Sequence, residues 1–393
     1  MDVLTQMFIK AIEENVVSSF HGIKAVQRIS IYADDVALFI KPSREDLHLV
    51  RSVLQAFGEA SGLRVNYNKS SAILIRGDDL DKDRVASMLH CDMMDFPCKY
   101  LGLQLAIKQL TKNEWQPMLD SAKKLVPVWQ RGLITRPGRL ILVKSIMSAR
   151  PIHHFLVMDA PLWVYEDLNN WMRAFFWTAK DKVNGGQCMV AWNNICKPVY
   201  FGGLGIKNLQ TQALALRVRW ERLRRVDTER PWQGIPMMVD KEARQVFDSL
   251  VRIKVGDGSR VLFWRDRWIH GFAASDIAPL VVNMVDKRTR NRRTIQQALG
   301  NASRPHDVQG ELSFTSHIQF LHLQQAIATV QRDTTGPDEF SWPCDASRSY
   351  TAGSVYDRLC QGSLRVPFAV CIWRNWAPLK CKIHMWLTVQ HGI

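Results

Sequence analysis

Asp34 and Asp35 are adjacent carboxylates set between the apolar stretches Ile29-Ser30-Ile31 and Val36-Ala37-Leu38-Phe39. Two like charges side by side repel, and a fold that keeps them together ordinarily supplies a compensating cation. Magnesium suits such a pair, because its hard octahedral shell takes one or two carboxylates and leaves positions for water and substrate phosphates. The chemistry on offer is therefore metal-assisted handling of a phosphate group. An ordinary Asp-Asp turn is the alternative, since aspartate is common in turns, and it stays open at this point.

The elements that must hold this pair follow from the neighbours. Ile29, Ile31, Val36, Leu38 and Phe39 suit two half-buried strands, so Tyr32 to Asp35 should be the tight connection of a hairpin with both acids at its tip. Leu4, Met7, Phe8, Ala11 and Ile12 recur at helical spacing ahead of it. Ser43 and Asp46, with the apolar set Leu47, Val50, Leu54 and Phe57, predict a capped amphipathic helix that closes at Gly62. A strand is expected over Leu63 to Asn66, leading to Lys69.

Tyr32-Ala33-Asp34-Asp35 resembles the Y-x-D-D box of reverse transcriptases. Ser61-Gly62-Leu63 through Asn66 to Lys69 is similar to the S-G-L-x-x-N-x-x-K segment of the non-LTR (LINE-type) retrotransposon enzymes, and Lys99 to Leu103 resembles their Y-L-G primer-grip hairpin. Further along, Trp129 to Ser145 resembles the W-x-x-x-x-L-S-x-x-G-R-x-x-L-V-K-S segment of plant LINE-type frames, with Thr135 where serine is usual. Ala191 to Ile206 resembles their A-W-x-x-x-C-x-P-x-x-x-G-G-L-G-I run, and Val255 to Trp268 their G-D-G-x-x-x-x-F-W-x-D-x-W box. Trp373 with Ala377 to Lys380 looks like the opening of the zinc-binding module that follows in those proteins.

The resemblance implies an α/β (α+β) partial polymerase palm over 1–107, a mostly helical thumb over 108–235 and a connection over 236–300. A linker over 301–345 and a truncated start of the zinc-binding region over 346–393 complete a mixed C-terminal part. It implies two-metal nucleotidyl transfer with Mg2+ or Mn2+ on Asp34 and Asp35, on an RNA template and a DNA primer. Lys69 would stand by the triphosphate, and Tyr100, Leu101, Gly102 and Leu103 would position the primer end. A solvated turn lysine is the other reading of Lys69. One departure weighs against activity. The palm strand that brings a further metal-binding aspartate in the family has no match in the 31 residues before Tyr32. Both ends read as truncations of a longer polyprotein, so the chain is expected to be inactive alone, with a basic nucleic-acid-binding remnant as the alternative.

Charge agrees with a partner rich in phosphate. Lys plus Arg is 52 against 37 for Asp plus Glu, a formal net charge of +15, which is the footprint of a chain that meets nucleic-acid backbones. Arg217, Arg219, Arg222, Arg224 and Arg225 form the densest basic cluster, on a helix expected from Gln210 to Val226, where they could track a duplex or merely face solvent. Lys287, Arg288, Arg290, Arg292 and Arg293 form a second run, expected in a loop. Gly256-Asp257-Gly258 reads as a hairpin turn. The aromatic stripe Leu168, Trp171, Met172, Phe175 and Phe176 reads as core. Eight cysteines contain no C-x-x-C spacing, so zinc is not expected, and Cys381 and His384 read as ordinary positions. No leader or membrane-length apolar run is visible, so an intracellular location with no membrane partner is expected.

Overall fold

The computed structural model describes residues 2–18, 20, 28–124, 132–227, 240–300, 307–333, 336–345, 347–361 and 366–391. The chain divides into two compact units, one formed by Met1–Asp120 with Thr228–Met238 and the other by Ser121–Asp227 with Val239–Ile393. Both mix helices with short strands. Among the described residues every sheet has two strands.

In the first unit, α1 (Asp2–Glu13) and α2 (Arg44–Ser61) cover the hairpin of β1 (Ile29–Tyr32) and β2 (Asp35–Leu38). Leu4 and Phe8 of α1, Ile29 of β1, and Val50 and Phe57 of α2 form one apolar core, with Ile31 and Leu38 packed against it. The termini of α2 are set locally. Ser43 accepts the Asp46 backbone N–H at 3.2 Å, and Gly62 takes a left-handed φ of 75° while its N–H returns to the Gly58 carbonyl. The strand expected at 63–66 is absent. Leu63 is well exposed and the chain runs irregularly into a 3₁₀ turn over Tyr67–Lys69, since no neighbouring strand is there to take its backbone donors. Instead β3 (Ser71–Ile73) pairs in parallel with β4 (Asp92–Met94) across the helix α3 (Asp79–Leu89). A second antiparallel hairpin follows, β5 (Cys98–Tyr100) with β6 (Leu103–Leu105). On the next helix, α4 (Lys112–Lys123), Trp115, Met118, Leu119 and Ala122 are buried as its spacing predicts. Val126, the next position at that helical spacing, and Trp129, the first residue of the segment running to Ser145, lie outside the described residues.

The second unit is built around the helix Leu209–Val226. Its helices are α5 (Arg136–Leu142, continued by a π turn over Val143–Met147), α6 (Ile152–Val157), α7 (Leu162–Thr178), α8 (Leu209–Val226) and α9 (Lys241–Leu250). Leu168, Trp171, Met172, Phe175 and Phe176 of α7 are all nearly fully buried, in keeping with a core stripe. Helix α8 is packed by α6, α7, α9 and α11 (Ala352–Leu359), so little of its surface is left for solvent. Beyond α9, β7 (Arg252–Lys254) pairs antiparallel with β8 (Glu339–Ser341). Between those strands Phe263, Trp264, Trp268 and Leu323 nucleate a separate apolar core. Leu323 belongs to α10 (Phe314–Ala328), so this part of the stretch expected as a linker over 301–345 is a helix docked on that core. The chain closes with α12 (Pro367–Arg374) and α13 (Leu379–His391).

Candidate functional site

The first hairpin presents its acids as the sequence suggests. Ile29 faces Leu38, Ser30 faces Ala37, Ile31 faces Val36 and Tyr32 faces Asp35. That register leaves Ala33 and Asp34 as a two-residue loop, and Ala33 adopts a left-handed φ of 53°, a conformation that costs a residue with a Cβ on the order of 1 kcal/mol. Asp34 and Asp35 are exposed, Tyr32 is 66% exposed, and neither carboxylate has a hydrogen bond or ion pair among the described residues. The second hairpin stands beside the first, because the Ser30 and Tyr100 hydroxyls meet at 3.3 Å. Leu101 and Gly102, at φ 48° and 81°, form its turn, while Leu103 points into the core. Lys69 is exposed at the end of its 3₁₀ turn, and no hydrogen bond or ion pair joins it to either hairpin among the described residues.

Among the described residues no group of three or more His, Cys, Asp or Glu side chains could hold an ion. Asp34 and Asp35 offer two carboxylates with no third ligand beside them among the described residues, fewer than would fix a resident ion without substrate. No step is therefore assigned to a metal at Asp34 and Asp35. Cys381 and His384 are both exposed on α13 and likewise belong to no such group.

The arginine cluster of α8 departs most from the sequence reading. Arg217 is buried and clamped by Asp240 through its Nε and by Asp159 at 3.0 Å, with the Tyr165 hydroxyl at 3.5 Å. Burial opposes its charge, but the hydrogen bond that Arg217 donates to Asp240 and the charges of the two carboxylates outweigh burial and hold the guanidinium above its usual range. Arg225 is buried against the equally buried Asp266 in a bidentate pair, Nη2 to Oδ1 at 2.8 Å, and its proton is held for the same reason despite its burial. Arg224 reaches the buried Glu221, which Arg244 also approaches, and burial lowers both guanidinium pKa values against that attraction. Arg217 and Arg225 therefore cannot touch a phosphate backbone, and Arg224 is committed to an internal pair. Arg219 is exposed, and Arg222 is half-exposed over the Tyr350 ring. The reason is topological, since a helix packed on several sides has few solvent-facing positions.

Two further expectations change. Gly256-Asp257-Gly258 is not a hairpin turn between paired strands but a collar around a buried carboxylate. The backbone N–H groups of Gly256 and Gly258 donate to Asp338 Oδ1 at 2.8 and 3.0 Å, and that of Arg260 donates to Oδ2 at 2.8 Å. A Cβ on Gly256 would meet the Gly336 carbonyl oxygen at 2.3 Å, so only glycine permits this approach. The second basic run is a short helix over Lys287–Arg292 rather than a loop. Asp286 caps it by accepting the N–H groups of Arg288 and Thr289. Aspartate directly before Lys287 was the available signal for that helix start.

No family model matches the chain. A curated Arabidopsis thaliana protein described as a "putative ribonuclease H protein" is 23% identical over 318 residues, which is 73% of this chain and 50% of that protein. The chain thus spans about half the length of the relative it matches. This match overturns the expectation of a LINE-type reverse transcriptase, since the relative carries a ribonuclease H description. No helix among the described residues is long and apolar enough to cross a membrane.

Proposed function

We propose that the chain is a nucleic-acid-binding segment of a protein related to the Arabidopsis ribonuclease H protein, and that it holds its ligand by the phosphate backbone without catalysing a bond-breaking step of its own. The observation that carries this reading is where the charge lies. Among the described residues, the buried ionic side chains are the acids Asp46, Glu221, Asp266 and Asp338 against the cations Arg28, Arg217 and Arg225. Four acids are removed from the surface for three cations, so among the described residues burial hides none of the positive surplus. A surface with that surplus attracts polyanions by releasing their condensed counterions. The description of the relative supports a nucleic acid as the polyanion.

The test is a salt titration of binding to DNA, RNA and hybrid duplexes, with hybrid integrity followed in magnesium. Affinity should fall linearly with salt on logarithmic axes, and Asp34→Asn should leave it unchanged or improve it, since a negative charge near phosphate is removed. Salt-independent binding, or hybrid cleavage that Asp34→Asn abolishes, would overturn this reading.

A further inference from the structure

We propose that the short helix Lys287–Arg292 is the ledge on which a nucleic-acid duplex rests, with Lys287, Arg288 and Arg292 as the phosphate contacts. This inference rests on the phosphate-binding reading above and assigns it a place. All three side chains are exposed, and none has an ion pair among the described residues. Arg288 and Arg292, four residues apart, lie on one side of the helix. The acids nearby are already engaged. Asp286 is held by the backbone donors of the helix start, and Asp307 takes the Trp264 indole N–H at 3.0 Å and the Arg293 guanidinium at 3.4 Å.

The ledge is also held rigidly, which separates it from a floppy basic loop. At its start, Val285 is buried and bridges to Val308, and the Gln309 N–H donates to the Met284 carbonyl. At its end, Thr294 bridges to Leu262, the Phe263 N–H donates to the Arg293 carbonyl, and Ile295 is buried with its N–H on the Val261 carbonyl. Both flanks are thus tied to the Trp264 core, so the three charges approach a ligand with little ordering left to do. Like charges kept adjacent on a fixed element without internal partners point to an external anion.

The chemistry of the ledge selects the ligand. Lys-Arg-Thr-Arg-Asn-Arg contains no aromatic residue on which an unpaired base could stack, so a base-paired duplex read through its backbone fits better than a single strand. It also contains no apolar residue to enter a bilayer, which disfavours an anionic lipid surface.

The experiment uses the full chain and follows its affinity for a short DNA duplex, an RNA duplex of equal length, and phosphatidylcholine vesicles containing phosphatidylserine, each over a salt series. Lys287→Gln/Arg288→Gln/Arg292→Gln should weaken duplex binding by tenfold or more and make the log–log salt slope shallower by about 2.7, that is about 0.9 for each lost contact. The tighter of the two duplexes identifies the partner. Lys108→Gln/Lys180→Gln/Lys182→Gln removes the same charge from exposed positions elsewhere and should leave the slope nearly unchanged. Circular dichroism verifies that both triple variants remain folded; should the first not fold, Arg288→Gln/Arg292→Gln serves, with a slope change of about 1.8. Equal effects of the two triples, or no effect of the first on a wild-type protein that does bind duplexes, would overturn the ledge while leaving the broader reading intact. A wild-type chain that binds no duplex overturns both. A ledge triple that loses only vesicle binding shows a lipid surface instead.

Discussion

The Asp34–Asp35 loop and the Arg217–Arg225 helix are both dense charge runs in the sequence, yet the fold treats them in opposite ways. The acids stand exposed at a hairpin tip, Asp34 in the two-residue loop and Asp35 at the start of β2, and neither carboxylate has a partner among the described residues. Two of the arginines are buried and paired with Asp240 and Asp266. A charge run is therefore not a surface by virtue of its charge. What decides is the number of elements that pack on the segment carrying it, and the difference between the regions can be broken or sharpened experimentally.

The largest effect is expected at the buried pair. Asp266→Ala leaves Arg225 charged and unpartnered in the core, and should cost about 3–5 kcal/mol of stability in chemical denaturation. Arg225→Met/Asp266→Leu should recover most of that loss, because replacing both partners with apolar groups is often neutral. A single variant as stable as the parent would erase the contrast between the two regions.

A second effect is expected in alkali. Burial pushes the Cys196 thiol up to about 12 from its ordinary value near 9. The folded protein thus holds a proton that the unfolded chain releases, so this contribution is complete below about pH 9 and is lost as pH rises towards 12. The slope from this group is about 1.4 kcal/mol per pH unit, and Cys196→Ala should flatten the alkaline limb of a stability–pH profile by that amount. An unchanged limb would mean that the thiol is wet.

The hairpin loop should respond less. Ala33→Gly relieves the left-handed backbone and should stabilise the protein by about 0.5–1 kcal/mol, read as a shift in denaturation midpoint at constant slope. The smallest effect belongs to the acids themselves. Asp34→Asn/Asp35→Asn should change stability by no more than about 0.5 kcal/mol, and magnesium should shift the melting temperature of parent and variant alike. A magnesium-dependent rise confined to the parent would give the loop a metal after all.

How much of this was legible depends on the sequence distance over which each feature is decided. The β1–β2 hairpin and helix α2 could be read because their signals are local: alternation around Tyr32 to Asp35, serine at 43, glycine at 62. The environment of Arg217 and Arg225 could not, since their partners Asp240 and Asp266 lie 23 and 41 residues away. The Gly256 to Arg260 collar looked like a turn because the carboxylate it surrounds is 82 residues from Gly256. The strand expected after Gly62 had strand-forming residues but no neighbour to pair with. For the candidate site, residue types at Asp34 and Asp35 were informative about exposure. They carried no information about a third ligand, which only tertiary structure can bring.

The Asp338 collar has a consequence for architecture. It fastens the point where the chain leaves the Trp264 core to the point where it enters, and β7 and β8 run side by side from there, with Lys254 opposite Glu339. Entry and exit of the span from 252 to 341 therefore sit at a single doorway, the arrangement that lets a cassette be spliced into a host protein without stretching either end.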